Sequence, residues 1–556
     1  MLTGISATTD HRLIPIADLA ARTGILPDEF DLYGRYRAKL RLSLLGRLSD
    51  RPDGKLIIVT AITPTKAGEG KTTTSVALAE GMGRLGRHVA LCLREPSMGP
   101  VFGIKGGGTG GGKALLAPME EINLHFNGDF HAVTAAHNLL AAALDASIYN
   151  GNPLGIDPQS ITWPRTCDVN DRSLRYSVIG LGGKAHGIPR ESQTVITAAS
   201  EVMAILALAA DLHDLRARLG RIVVATRQDG SPATADDLKV AGAMAVIMKD
   251  AIHPNLVQTL EGQPALVHAG PFGNIAHANN SIVADRIGLK LADYVITEAG
   301  FGSDLGLQKF CDIVCRVGGI RPDASVLVTT VRAIKSHGGV PFAQLGAENL
   351  GAIRAGIGNL AAHIAIVRQY GLPCVVAVNR FPSDTRAEIE LLERLAVDAG
   401  AHTVAAHNGF AEGGEGSVDL AEAVCAACEQ PNAFRPLTPA GATIREQIDA
   451  IATKLYGAAD VDFLPQATKD LERVRALGLE TAPVCMAKTH LSLSHDPTLR
   501  NRPTGFTLPI RGLVASAGAG FVVALCGEMQ RMPGLGRTPA FMNMDIDANG
   551  RTIGLF

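Results

Sequence analysis

Lys71 and Thr72 stand directly behind two glycines, Gly68 and Gly70, in the stretch TPTKAGEGKTTT (63–74). These residue types suit a nucleotide's phosphates. Glycines let successive backbone N–H groups turn toward anionic oxygens, an ammonium pairs with the β/γ-phosphates, and a neighbouring hydroxyl can ligate Mg²⁺. The strict pattern G-x-x-x-x-G-K-[ST] would have glycine at position 65, where this chain has Thr65. Arg94 closes a second apolar run, Val89–Leu93. A guanidinium there can hold a carboxylate or a phosphate through two parallel bonds.

The elements that must position these groups are legible around them. Lys55–Ile62 is a nearly continuous Ile/Val-rich run, as a strand buried on both faces should be. Thr72–Leu85 carries Val76, Leu78, Ala79, Met82 and Leu85 at near-helical spacing, and Val89–Leu93 is the next strand. Strand, glycine loop, helix and strand together make the context a phosphate loop needs, with the helix N-terminus adding partial positive charge. Further apolar runs at Ile222–Ala225, Ala265–Ala269, Tyr294–Thr297, Val326–Val331 and Cys374–Val378 alternate with helical segments. This alternation predicts an α/β fold with a largely parallel sheet. Most of these runs lead into glycine-rich or polar segments, such as PFGNIAHANNS, EAGFGSDLG, RAIKSHGG and NRFPSDT. In a parallel sheet those ends line one rim, where ligands bind. Residues 14–48 read as helical cover for the first strand. Gly103–Lys113, with seven glycines in eleven residues, follows a strand end and reads as an active-site loop. Beyond Glu429 the composition changes: Thr443–Tyr456 reads as an amphipathic helix, and Gly505–Phe541 shows no clear helix.

Composition narrows the classes. The 556 residues are roughly three to four domains' worth of chain. An apolar share of 46% with 19% charged residues fits a well-cored protein. A net charge of −2, one Trp and seven Tyr offer neither a basic stripe nor many stacking platforms, so nucleic acid is not an expected partner. The first 25 residues lack a basic segment followed by an apolar core. No uninterrupted apolar run of membrane-spanning length occurs, so the expectation is a cytoplasmic protein with no membrane partner. Cys425 and Cys428 lack a second pair at zinc spacing and read as structural thiols. His125, His131 and His137, six residues apart, do not share one helical face and read as local hydrogen-bonding groups.

The order of these blocks resembles the formate–tetrahydrofolate ligase family, also called 10-formyltetrahydrofolate synthetase, in its single-function form. The resemblance runs from Tyr33-Gly34 to Met532-Pro533-Gly534, through TPTKAGEGKTTT (63–74), REPSMGPVFGIKGG (94–107), PMEEINLHFNGDFHA (118–132), DVNDRSLR (168–175), KLADYVITEAGFGSDLG (290–306), VRAIKSHGG (331–339), PVCMAKTH (483–490) and AGAGF (517–521). It implies a P-loop NTPase-like core with smaller α/β domains packed around it. Residues 1–360 would hold ATP and formate and contain an inserted second domain; residues 361–556 would form the folate side. It implies ATP-dependent ligation of formate to tetrahydrofolate through formyl phosphate, Mg²⁺ with the ATP, a homotetramer, and a monovalent cation as a further candidate cofactor. By the same resemblance Thr65, Lys66, Ala67, Gly68, Glu69, Gly70, Lys71 and Thr72 hold the ATP phosphates, and Thr72 holds the metal. Lys71 and Arg94 act in catalysis, Arg94 on formate and then formyl phosphate. Phe301 and Phe410 sandwich the pterin, with Phe381 and Pro382 walling the pocket. Asn379 ends a strand and faces either adenine or pterin.

The chain departs from the family's usual residues at four places. Lys66 replaces a proline, Gly108–Lys113 reads GTGGGK in place of AAGGGY, Phe410 replaces a tryptophan, and Ala406 replaces a larger apolar residue. Lys66, five residues before Lys71, also matches the deviant phosphate loop of dimeric switch ATPases that act on partner proteins. A kinase acting on a larger acid is a third reading, and it leaves the aromatic pair unexplained. The ligase reading predicts that Lys66→Pro keeps near-normal activity. Under the switch reading the same change abolishes a nucleotide-dependent dimer. Sedimentation with and without ATP separates the two.

Overall fold

The computed structural model describes residues 13–66, 68–103, 108–431 and 433–555. Its centre is the apolar run after Gly54, buried at every residue from Leu56 to Ala61. A strand so covered needs a neighbour on each edge and a layer on each face. The main sheet supplies the edges. In chain order its strands are β1 (Phe30–Leu32), β2 (Ala38–Leu40), β3 (Lys55–Ala61), β4 (Val89–Leu93), β5 (Gly110–Gly111), β6 (Ala114–Ala117), β7 (Asn255–Thr259), β8 (Pro264–Val267), β9 (Tyr294–Glu298), β10 (Ala324–Thr329), β11 (Cys374–Asn379) and β12 (Thr403–His407). Across the sheet they run β1-β2-β7-β8-β4-β9-β3-β10-β11-β12, with β6 paired to β7 and β5 to β6. From β8 to β12 every pairing is parallel, while β7 and the strands beyond it pair antiparallel. The expected α/β fold with a largely parallel sheet is what forms.

The two faces divide by the two-residue period of a strand. Ile57, Val59 and Ala61 join Leu91, Leu93 and the helices α1 (Lys71–Arg84) and α7 (Val418–Cys428) in one core layer. Leu56, Ile58, Ala90 and Cys92 join the other, with α2 (Asp129–Tyr149), α3 (Ile282–Leu291), α4 (Val331–His337) and α5 (Leu350–Gln369). By length and composition α5 is apolar enough to cross a membrane, and more than half of it is buried inside the fold. It packs between α4 and α6 (Arg386–Asp398). Its buried Asn359 and His363 bond Thr63, at the start of the loop after β3.

Two expectations are corrected. Within residues 14–48 only Ile16–Arg22 and Ser43–Arg47 are α-helical. After a short helix, Ile16–Arg22, the chain makes β1 and β2 and extends the sheet edge. Lys39, read as part of an Arg/Lys-rich helix, is a strand residue whose ammonium is buried 2.6 Å from Asp129. The run at 222–225 lies outside the main sheet; Val223–Thr226 pairs with Pro232–Thr234 in a two-stranded ribbon. Position 360 itself lies within α5, and β11 and β12 continue the same sheet after it. Past α7, helix Ile444–Ile451 is closed by a Thr443/Glu446 capping box. Gly505–Phe541 forms strands at Thr507–Ile510, Gly512–Ser516 and Phe521–Leu525.

Lys335 of α4 and Glu388 of α6 are both fully buried and meet at 2.8 Å. Removing one member of such a pair leaves an uncompensated charge, at a cost of about 3–5 kcal/mol. Lys335→Met is therefore expected to lower the melting temperature clearly. Calorimetry of that variant beside Lys335→Met/Glu388→Leu, which removes both charges and should recover much of the loss, checks it.

Candidate functional site

The loop leaving β3 is shaped by its two glycines. Gly68 and Gly70 have φ of +74° and +73°, in the left-handed region that side-chain-bearing residues enter at a cost. Gly70 is also crowded, since a Cβ there would lie 2.3 Å from Asn379 Nδ2. Asn379, the last residue of β11, donates from that nitrogen to the Glu69 carbonyl at 3.1 Å. Glu69 folds back into the loop, and its Oε1 accepts from the Thr65 amide at 2.8 Å and the Thr65 hydroxyl at 2.9 Å. Burial raises the Glu69 pKa. The loop is thus closed on itself and tied to a strand two places away.

Helix α1 begins at Lys71. Its ammonium lies 3.2 Å from Glu298 Oε1, and Glu298 is the last residue of β9. The Ser75 hydroxyl donates to the Lys71 carbonyl at 3.1 Å and stands 3.5 Å from Glu298 Oε2. One turn from Gly70, Thr74 donates to the Gly70 carbonyl and lies 3.1 Å from His407 Nε2, at the end of β12. Burial lowers the His407 pKa to about 4, so the ring is neutral at pH 7. The half-exposed Thr72 hydroxyl bonds no other described residue. Lys66 is exposed. Ala67 lies outside the described residues.

Arg94 follows β4 on the same rim. Its Nη1 donates to the Pro271 carbonyl at 3.2 Å, and among the described residues no carboxylate comes within ion-pair distance of it. Burial lowers its pKa, and the Glu298 charge opposes that shift. A Cβ on Gly300 would lie 3.2 Å from Arg94 Nη2, so the guanidinium abuts the turn that carries Phe301. A buried guanidinium with no carboxylate partner is a ready site for an anion.

Phe301 has φ of +58°, a conformation that costs a bulky residue about 1–3 kcal/mol and tends to persist at ligand-binding turns. Its ring stacks on His490 with centroids 4.8 Å apart and an 18° interplanar angle. The two loops involved are pinned by a buried pair, Lys488 and Asp304, at 2.6 Å. Phe410 is 56% exposed and lies against Gly111 and Gly112. Its carbonyl accepts from the Lys113 amide at 2.9 Å, and a Cβ on Gly112 would sit 2.0 Å from that oxygen. The glycines of the 108–112 segment therefore permit close approach of the Phe410 backbone. The Arg332 guanidinium covers the Phe381 ring at 4.4 Å, and Pro382 is exposed.

Lys71, Arg94 and the 65–72 loop are therefore brought to one rim through Glu298, Asn379 and His407. Phe301 and Phe410 do not stack on each other; each ring has its own neighbour. Glu298, His407 and His490 escaped the reading of the sequence, although two of them stand inside recognisable blocks. Their partners are hundreds of residues distant, and only sheet order brings them together.

Comparison with known proteins places the chain among close relatives. The family model described as formate–tetrahydrofolate ligase matches residues 3–556. A formate–tetrahydrofolate ligase of Desulforamulus reducens is 55% identical over 554 residues, covering 98% of both chains. One from Roseiflexus sp. is 54% identical over 563 residues, covering 100% of both. One from Saccharopolyspora erythraea is 53% identical over 552 residues, covering 98% of this chain and 97% of the relative.

Gly70 and Asn379 should be energetically coupled. Gly70→Ala adds a left-handed alanine, about 1–2 kcal/mol, and a clash with Asn379. In Gly70→Ala/Asn379→Ala the clash is gone, so the double variant should lose less stability than the two single losses added together. Thermal melts of the four proteins in this cycle measure the difference.

Proposed function

The chain belongs to the formate–tetrahydrofolate ligase family and is an enzyme of that class; from this premise we propose that it joins formate to tetrahydrofolate through formyl phosphate. A formate oxygen attacks the γ-phosphorus of ATP and the bond to ADP breaks. N10 of tetrahydrofolate then attacks the formyl carbon, phosphate leaves with the C–O electron pair, and the N10 proton is released. The products are 10-formyltetrahydrofolate, ADP and phosphate. The observation that carries this reading is the meeting on one rim of Lys71, in the first turn of α1, with Arg94, whose guanidinium lacks a carboxylate partner among the described residues.

Each residue's role follows from its place. In this phosphate-loop reading, the backbone from Thr65 to Thr72 cradles the ATP phosphates, Ala67 included, and Lys71 neutralises charge on the β/γ-oxygens. Glu298 orients Lys71 until the nucleotide takes the ammonium. Arg94 holds formate against the γ-phosphate and then stabilises formyl phosphate, so that positioning and charge neutralisation carry the rate. The free Thr72 hydroxyl fits Mg²⁺, which when bound with ATP draws charge from the phosphate oxygens. The resemblance also admits a monovalent cation. No residues are assigned to it, since no cluster of three or more His, Cys, Asp or Glu side chains fit for a metal occurs among the described residues. Phe301 and Phe410 serve as pterin-binding rings, with Phe381 and Pro382 as pocket wall. Asn379, bound to the loop backbone, favours the nucleotide side over the pterin. We further propose a cytoplasmic homotetramer. Its nucleotide- and formate-holding unit would precede a folate-side unit, with the border just past α5. The switch-ATPase alternative is not favoured, because the family match covers nearly the whole chain.

Formate-dependent ADP release, with and without tetrahydrofolate, tests the reaction. In that assay Arg94→Lys, which keeps the charge but loses the planar fork, should lose at least tenfold in rate, equivalent to about 1.4 kcal/mol. Near-normal kinetics would leave Arg94 a structural residue only.

Phe410→Ala should raise the tetrahydrofolate KM by several-fold to about a hundredfold, as an aromatic stack with its buried area is lost. ATP and formate parameters should hold. Phe410→Trp, which restores the family's usual ring, should bind folate at least as well. Steady-state kinetics in each substrate decide between a pocket ring and a structural one.

A further inference from the structure

On the reading that the pterin stacks on Phe301, we propose that His490 is a further residue of the folate site. Its ring occupies the face of Phe301 that the pterin takes, and folate binding displaces it. The stack is closed. With centroids 4.8 Å apart and planes 18° from parallel, no third ring fits between the two. A sandwiched ring would need them roughly twice a stacking distance apart.

A second flank of Phe301 is occupied. A Cβ on Gly273 would lie 2.6 Å from Phe301 Cε2 and 2.8 Å from Cδ2, so that flank is in contact with buried backbone. The face under His490 is the one a flat ligand can win. Phe301 cannot easily turn away, because its left-handed backbone is locked in a turn between Gly300, crowded by Ala278 and Arg94, and the buried Asp304.

His490 is free to leave. It is exposed, and its ring nitrogens bond no other described residue. The loop beneath it stays fixed, since Lys488 is buried against Asp304 at 2.6 Å and donates to the Ser492 carbonyl at 2.5 Å. The anchor lies two residues before the ring, so His490 can swing out by side-chain rotation while the loop keeps its course. The stack on Phe301 is then the main interaction the pterin has to replace.

Equilibrium titration calorimetry with tetrahydrofolate, ATP and formate absent, tests this. His490→Ala should lower the folate Kd by about two- to tenfold, the range that one aromatic pair is worth. His490→Trp, a stronger stacking partner for Phe301, should raise it. Phe301→Ala should raise the Kd, and adding His490→Ala to it should change nothing more. A higher Kd for His490→Ala would make the ring a wall of the pocket and overturn the proposal, as would a Kd unchanged within twofold. If Phe301→Ala itself leaves the Kd unaltered, the placement of folate on Phe301 fails instead, whatever His490 does.

Discussion

The arrangement of the site depends on the parallel register of β3 with β9 on one edge and β10 on the other. Parallel strands end together, so the residues that follow them are delivered to one rim whatever their separation in the chain. Register does the rest. Thr297 of β9 pairs with both Ile58 and Cys92, which brings Glu298, one residue later, and Arg94, two residues later, off adjacent strands. Neighbouring α/β crossovers then place Asn379 and His407 beyond β10 on the other side of the loop.

Buried ammonium groups fasten the loops on this frame. Lys39 to Asp129, Lys335 to Glu388 and Lys488 to Asp304 each join segments from different elements, with both partners almost wholly buried. A pair of this kind adds little net stability, since desolvation consumes most of the attraction, but breaking it is costly. Its effect is therefore on geometry: loops so joined cannot drift separately. Lys71 and Glu298 follow the same pattern with more exposure.

The aromatic residues are held differently. Phe410 rests on a bed of glycines and is more than half exposed, while Phe301 is held in a left-handed turn under His490. The buried ammonium groups are paired within the fold, whereas Phe301 meets an exposed histidine and Phe410 keeps an exposed face. A phosphate site gains from preorganised charge, and a flat apolar ligand gains from surfaces that close on it.

The sequence by itself determined the α/β class, the strand–glycine loop–helix around Lys71, the place of Arg94 after a strand, and the family. Each of those rests on local pattern: apolar runs of strand length, glycines where φ must be positive, and blocks of residues in a recognisable order. It misjudged residues 14–48, because an Arg/Lys/Leu-rich stretch looks helical until a buried acid such as Asp129 is there to receive Lys39. It misjudged the run at 222–225, because a short apolar strand reads the same in a central sheet and in a peripheral ribbon. Tertiary structure alone decided that Glu298 faces Lys71, that Asn379 crowds Gly70, that His407 receives Thr74, and that His490 covers Phe301. Those contacts join segments about 190 to more than 330 positions apart, and strand order across the sheet, which local composition does not encode, selects among the possible partners.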